Sequence, residues 1–154
     1  MPDAVVTRIE SEWEIRAYLQ DLVYALDNGA TIYFQAKRRV DNERYVKYTN
    51  LYTVESLFPN ENPVDALRRE LRTLTVEEYI KTVKDLRFPD RSEMREFGKV
   101  YNDSEDVYIK IRVELLGAYG VTSTFVMSFH FAERPFKSSD FPYKKSNGAP
   151  GGKQ

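Results

Sequence analysis

Residues 94–131 read MREFGKVYNDSEDVYIKIRVELLGAYGVTSTFVMSFHF, and this stretch decides the fold. Apolar and polar residues alternate in three runs, at 94–101, 107–115 and 122–131. Alternation with a period of two predicts β-strands. The runs are separated by Asn102-Asp103 and by the glycine-containing segment 117–120, and both connections are typical of turns. Because the connections are short, the stretch predicts an antiparallel meander of three strands.

A helical pattern lies near the start of the chain, from Ser11 to Asp27. Ser11 and Glu14 have the spacing of a capping box, and apolar residues then repeat every three or four positions. Asn28-Gly29 predicts the end of this helix, because glycine readily adopts the left-handed conformation found there. The alternating segment Ala30 to Lys37 predicts a strand directly after it.

Two further helices are expected before the meander. Asn62-Pro63 combines an N-cap residue with proline at the first helical position. Thr75 and Glu78 form a second capping-box pattern, which predicts a short helix carrying Tyr79, Ile80, Lys81 and Val83. The segment 38–58 fits either a pair of strands or an insertion, and its pattern does not choose between them. Within it, Tyr45 to Val54 fits a strand or a poorly formed helix.

Together these elements predict an α+β fold, in which N-terminal helices pack on one face of an antiparallel sheet that ends in the meander. Residues 1–136 are expected to form a single domain. Residues 137–154 are rich in Pro, Gly, Ser and Lys, and they are expected to form a flexible tail.

The composition of the 154 residues excludes several kinds of site. The chain has no cysteine and one histidine, His130, which rules out disulfides, cysteine nucleophiles, thiolate zinc sites and multi-histidine metal sites. A site without metal or cofactor is therefore expected. Lys and Arg (23) nearly balance Asp and Glu (24), so net charge alone does not point to nucleic acid. Without a signal-peptide pattern or a long apolar run, the protein is expected to be cytoplasmic, with no membrane partner.

The last two strands of the meander are predicted to carry one apolar and one polar face, because side chains alternate along a strand. In the middle strand the inward set is Val107, Ile109, Ile111, Val113 and Leu115, and the outward set is Tyr108, Lys110, Arg112 and Glu114. In the last strand the inward set is Phe125, Met127, Phe129 and Phe131, and the outward set is Thr124, Val126, Ser128 and His130. An odd-length loop between these strands would place His130 opposite or diagonal to Tyr108.

The first strand of the meander is expected to add Arg95 and Lys99 to the outward face. That face would then gather acid–base and cationic side chains, namely Tyr108, Lys110, Arg112, Ser128, His130 and Arg95. Such a set suits a phosphodiester, since arginine and lysine neutralise phosphate charge and histidine side chains exchange protons near neutral pH. The alternative is an ordinary solvated sheet face with cross-strand pairs, such as Lys110 or Arg112 beside Glu114.

Residues 62–131 also resemble the MqsR group of RelE-like toxins, which are ribosome-independent mRNA interferases of bacterial toxin–antitoxin systems. The resemblance lies in an order of segments: a helix, LTVEEYIKTV, REFGKVY, DVYIKIRV and the closing VMSFHF. The family has a similar helix with an aromatic residue and a lysine, a VYLK-type strand, and a closing V-S-F strand followed by a basic residue. The resemblance therefore implies a RelE-like fold, an endoribonuclease acting on single-stranded RNA, and a cognate antitoxin protein as partner.

The resemblance also implies site residues. The family's catalytic positions fall on Lys81, Arg95, Tyr108 and His130, where Arg95 stands for a usual Gln and His130 for a usual Lys. The remaining polar residues of the outward face are expected to bind the RNA, namely Lys99, Lys110, Arg112 and Ser128.

In the implied reaction the ribose 2′-OH attacks the adjacent phosphate and leaves a 2′,3′-cyclic phosphate and a 5′-OH end. His130 would be the general acid or base, and Tyr108 would position a phosphate or a base. Lys81, Arg95 and Arg112 would stabilise the charge of the phosphorane. Two alternatives stay open: a non-catalytic α+β module that binds a protein or a small ligand, favoured by the near-neutral charge, and a small-molecule enzyme with His130 as base.

Overall fold

The computed structural model describes residues 4–35, 46–116 and 121–144. Within these ranges lie three α-helices, namely α1 (Glu12–Asp27), α2 (Asn50–Leu57) and α3 (Pro63–Leu71). The strands are β1 (Val5–Arg8), β2 (Thr31–Phe34), β3 (Tyr79–Asp85), β4 (Met94–Tyr101), β5 (Glu105–Leu116) and β6 (Val121–Phe131). They form one mixed six-stranded sheet in the order β1-β3-β4-β5-β6-β2, which confirms the α+β class.

The predicted meander is confirmed, since β5 pairs antiparallel with both β4 and β6. The turn between β4 and β5 contains Asn102 and Asp103, with φ of 52° and 67°. Asn and Asp tolerate this left-handed conformation better than most residues, which explains the turn at this point.

The first predicted helix and the helix start at Asn62-Pro63 are also confirmed. The amide of Glu14 donates to Ser11 Oγ (3.1 Å), and the amide of Ser11 donates to Glu14 Oε1 (2.9 Å), so the capping box exists. The strand expected over Ala30 to Lys37 is found at Thr31–Phe34, and its last positions lie outside the described residues. The described part of segment 38–58 holds a 3-10 turn, Val46–Tyr48, followed by α2.

The prediction of a short helix after Thr75 is wrong. Thr75 and Glu78 do form a capping box, but it opens a single 3-10 turn, Val76–Glu78, and the chain then continues as β3. Ile80, Thr82 and Val83 are β-branched and favour an extended chain. The position of β3 between β1 and β4 lets both of its edges form hydrogen bonds.

The helices pack on one face of the sheet, as expected. Ile15 and Leu22 of α1 and Leu67 of α3 join Ile109 and Phe129 of the sheet in one buried cluster. Each is at most 1 % exposed. We call this side the helix face and the opposite side, which carries Tyr108 and Lys110, the open face. None of the helices in the described ranges is long and apolar enough to cross a membrane.

The tail segment, residues 132–144, follows β6 and packs against the sheet. The Phe136 amide donates to Asp106 Oδ2 (2.9 Å), and the Phe136 and Phe141 rings meet edge to face over Gly98. Tyr143 stacks on Tyr79 with ring centroids 6.1 Å apart. Residues 137–154 were predicted to form a flexible tail. The structure describes this segment as far as Lys144, and residues 145–154 lie outside the described part.

Candidate functional site

Tyr108 and His130 lie directly opposite each other on β5 and β6, as the strand alternation predicts. Their ring centroids are 5.3 Å apart. Lys110 and Ser128 form the next pair on the same face. These four residues form the floor of a groove of about 610 Å³, and residues 132–137 with Asp140 form its wall. We call this feature the sheet groove.

His130 is held in a defined orientation at the groove floor. The residue is 8 % exposed, and its Nδ1 lies 3.0 Å from the carbonyl oxygen of Phe131. A carbonyl oxygen can only accept a hydrogen bond, so Nδ1 carries the proton. In the neutral ring the basic lone pair is therefore on Nε2.

The wall of the sheet groove carries charges of both signs. Arg134 and Lys137 add positive charge to that of Lys110, whereas Glu133 and Asp140 are acidic. The Asp140 carboxylate also accepts the Lys137 backbone amide (2.8 Å), which anchors the wall locally. The groove is therefore suited to an anion that also offers hydrogen-bond donors.

A transverse row of charged residues extends the floor toward β3. Lys81 pairs with Glu96, Glu96 with Lys110, and Lys110 with Ser128, so these side chains share the open face. Lys81 thus shares the open face with Tyr108 and His130. Glu96 is only 6 % exposed. It was missed because the even-numbered residues of β4 mix apolar and polar types, so their polarity does not reveal which face they occupy.

Arg95 does not lie on this face, which corrects the prediction. It pairs with Ile111, so its side chain points to the helix face. Arg95 Nε and one terminal nitrogen donate to the Glu10 carboxylate (2.8 and 3.1 Å), and the guanidinium lies 4.2 Å from the centroid of the Tyr18 ring. Burial alone would raise the pKa of Glu10, but hydrogen bonds from Arg95 and Thr82 outweigh it and lower that pKa.

The prediction for Lys99 is wrong for the same reason. Lys99 pairs with Val107, and its Nζ donates to Glu78 Oε2 (3.0 Å) on the helix side. Acidic partners, the buried Glu10 for Arg95 and the half-buried Glu78 for Lys99, make it possible to turn these basic residues inward. The apolar-in, polar-out rule fails in β4 because it cannot detect such partners.

A β-bulge in β6 also changes the predicted face of several residues. Lys110 pairs with Ser128 but Ile111 pairs with Val126, so Met127 is the extra residue. Val126 and Thr124, predicted to face outward, are completely buried on the helix face. Phe125, predicted to be in the core, pairs with Arg112 on the open face.

The bulge also replaces the odd-length loop that the prediction required. Leu116 pairs with Val121, so the even number of residues from 117 to 120 joins the strands. The extra residue Met127 then restores the parity that places Phe129 and Phe131 in the core.

Arg112 lies on the open face as predicted, but its charge is paired. Its guanidinium lies 4.2 Å from the Phe125 ring centroid and 3.1 Å from Glu114 Oε1. Burial would raise the pKa of Glu114, yet hydrogen bonds from Ser92 and Arg112 lower it overall. The carboxylate therefore stays ionised and fixes the position of Arg112.

Asn50 of α2 holds the bulge and was missed by the sequence analysis. Its Nδ2 donates to the carbonyl oxygens of Gln35 (2.7 Å) and Met127 (3.1 Å), and its Oδ1 accepts the Phe129 amide (3.0 Å). One turn later Thr53 Oγ1 accepts the Phe131 amide (2.9 Å). The available signal was a helix in which the polar residues Asn50 and Thr53 share the buried stripe with Val54.

In the described ranges, no three His, Asp or Glu side chains come together in an arrangement that could hold a metal ion. Comparison with known proteins found no match to a family model, a curated protein or a solved structure.

Proposed function

We propose that this chain is a cytoplasmic, metal-independent endoribonuclease that cuts single-stranded RNA in the sheet groove. In this proposal it has the RelE-like arrangement and the cognate antitoxin that the resemblance to the MqsR group implies. The observation that carries the proposal is the pair of rings at the groove floor, Tyr108 and His130, 5.3 Å apart. An imidazole beside a phenol provides two groups that can exchange protons with a ribose and a phosphate.

In the proposed reaction His130 Nε2 takes the proton of the ribose 2′-OH, and the 2′ oxygen attacks the adjacent phosphorus. The bond from phosphorus to the 5′ oxygen breaks, and that oxygen receives the proton of the Tyr108 hydroxyl. The imidazolium of His130 then returns a proton to Tyr108. The products are a 2′,3′-cyclic phosphate and a 5′-OH end, and both side chains regain their starting protonation.

Lys110 is the cation closest in register to this pair, because it lies one row along β5 from Tyr108. An ammonium group there suits the extra negative charge of the phosphorane. Lys81 adds a second positive charge in the same row, beyond Glu96. Arg95 and Lys99 have no role in this mechanism, since both point to the helix face.

The test is cleavage of a labelled single-stranded RNA by the full chain in the presence of EDTA, with the new ends mapped. We expect His130→Ala to cut about 10²–10⁴-fold more slowly, the usual effect of removing a proton-transfer group. Tyr108→Phe is expected to be slower as well, because it lacks only the hydroxyl. Tyr24→Phe is the matched control, since Tyr24 is an exposed tyrosine on α1.

Two outcomes contradict the proposal, provided that circular dichroism shows folded protein. One is a wild-type protein that leaves RNA intact, which would favour the non-catalytic binding module. The other is His130→Ala cutting at the wild-type rate, which would remove the site from the sheet groove.

A further inference from the structure

Three planar groups form a stack across the open face, next to the sheet groove. The Tyr33 and Phe125 rings are 4.9 Å apart and 16° from parallel. The Arg112 guanidinium lies 4.2 Å from the Phe125 centroid. Because β6 lies between β2 and β5, Phe125 is the middle layer of this stack and Tyr33 is its outer layer.

The stack exists only because of the β-bulge. Continuing the alternation of Phe131 and Phe129 would have placed Phe125 among the helices. The extra residue Met127 instead moves Phe125 to the open face, where it pairs with Arg112 and Tyr33. Bulges that redirect a side chain are frequent next to binding sites.

One end of the stack is fixed and the other is accessible. Arg112 is 11 % exposed and paired with Glu114, whose carboxylate also accepts the amide and hydroxyl of Ser92. Tyr33, on the last strand of the sheet, is 47 % exposed. An ordered ring with nearly half of its surface exposed provides an aromatic face at little further conformational cost.

We infer that Tyr33 and Phe125 are a nucleobase-stacking subsite for single-stranded RNA. This inference rests on the proposed function and deepens it by assigning a contact to a base beside the cleaved phosphate. Aromatic rings stack with any base, which suits a chain whose net charge is −1 and which cannot rely on charge alone.

The position of the stack fits such a strand. Arg112 and Phe125 form the row adjacent to Lys110 and Ser128, so the two rows are about 7 Å apart along β5. Tyr33 also lies two strands across the sheet from Lys110, so their backbone positions are about 12 Å apart, which an extended single strand covers in one or two nucleotides. With the cleaved phosphate at Lys110, the base of the next nucleotide or the one after it can reach Tyr33.

The experiment separates binding from cleavage by using an uncleavable probe. A fluorescein-labelled 2′-O-methyl RNA oligonucleotide lacks the attacking hydroxyl, and its affinity for the full chain is measured by anisotropy. Tyr33→Leu is expected to bind about 5- to 150-fold more weakly, the range for the loss of one aromatic–base contact. Tyr33→Phe is expected to keep the wild-type affinity. Tyr24→Leu, an exposed tyrosine of α1, is the matched control.

The outcomes distinguish this inference from the proposed function. Equal binding by Tyr33→Leu and wild type overturns the subsite, whether or not the protein cuts RNA. Wild-type protein that does not bind the oligonucleotide also overturns it and favours a protein ligand for the open face. Tyr33-dependent binding by a chain that leaves cleavable RNA intact supports the subsite and rejects the nuclease.

Discussion

At the scale of single residues, Gly98 controls how closely the tail segment packs on the open face. A Cβ at this position would lie 2.7 Å from Phe136 Cε2 and 2.9 Å from Phe141 Cζ, too close for carbon atoms. We therefore predict that Gly98→Ala lowers the free energy of unfolding by about 1–3 kcal/mol, as overpacking commonly does. Urea unfolding measures this loss, and amide hydrogen exchange of residues 136–144 should accelerate.

Phe136→Leu provides the control for this prediction, because it removes the ring atoms closest to the added carbon. The penalty of Gly98→Ala should be smaller in that background, and a double-mutant cycle measures the difference. An equal penalty in both backgrounds would show that Gly98 is needed for another reason.

At the scale of secondary-structure elements, the β-bulge depends on one amide side chain of α2. Asn50→Ala would leave the carbonyls of Gln35 and Met127 and the amide of Phe129 without this partner. We predict a loss of about 2–4 kcal/mol in the free energy of unfolding. An unsatisfied buried polar group costs about 1–3 kcal/mol, and of the three partners Phe129 is buried, Met127 half-buried and Gln35 exposed. Urea denaturation measures the loss.

Asn28→Ala is the comparison, since its side chain makes one exposed hydrogen bond, to the Tyr24 carbonyl. Its cost should be clearly smaller than that of Asn50→Ala. Similar costs for the two variants would mean that α2 does not hold the bulge.

The same elements show what could be predicted from sequence. Tyr108 and His130 were predicted to share a face, opposite or diagonal to each other, because alternation is unbroken between Val107 and Ile111 and between Ser128 and Phe131. They lie directly opposite, although the bulge and not an odd-length loop sets the register. The face of Phe125 could not be predicted, because the bulge depends on Asn50, which is distant in sequence. Local patterns report a strand's period but not an interruption that another element imposes.

The prediction of a helix over Tyr79 to Val83 was wrong for a related reason. The Thr75–Glu78 capping box is real, but the conformation of the chain after Glu78 depends on whether neighbouring strands are available. Arg95 was assigned to the wrong face because its partner, Glu10, lies in a segment for which no structure was predicted. Long-range polar partners of this kind have no periodic signature.

At the scale of the whole molecule, Glu10 connects the N-terminal segment to the sheet and makes stability depend on pH. Its pKa is lowered in the folded protein: burial opposes ionisation, but hydrogen bonds from Arg95 and Thr82 outweigh it. The ionised form is therefore favoured by folding, and this contribution is present above the unfolded-state pKa of about 4.3. It is lost as the pH falls through the lower folded-state value.

We predict that Glu10→Gln is less stable than wild type at neutral pH and that the difference shrinks between about pH 5 and pH 3. Urea unfolding across this range measures both proteins. Glu114 also has a lowered pKa, but it is present in both proteins and cancels in the comparison. Glu93 interacts with Glu10 and shares Arg8 with it, so the difference reports Glu10 together with its effect on Glu93. Parallel stability curves would contradict the prediction.

The parallel pairing of β2 with β6 has a consequence during protein synthesis. β2 leaves the ribosome early, whereas its partner in the described sheet ends at Phe131. Pairings between segments so distant in sequence form late, because the intervening chain must first be made and closed into a loop. If the chain is the proposed ribonuclease, the ribosome must therefore translate its messenger RNA beyond the codon for Phe131 before a working site can form.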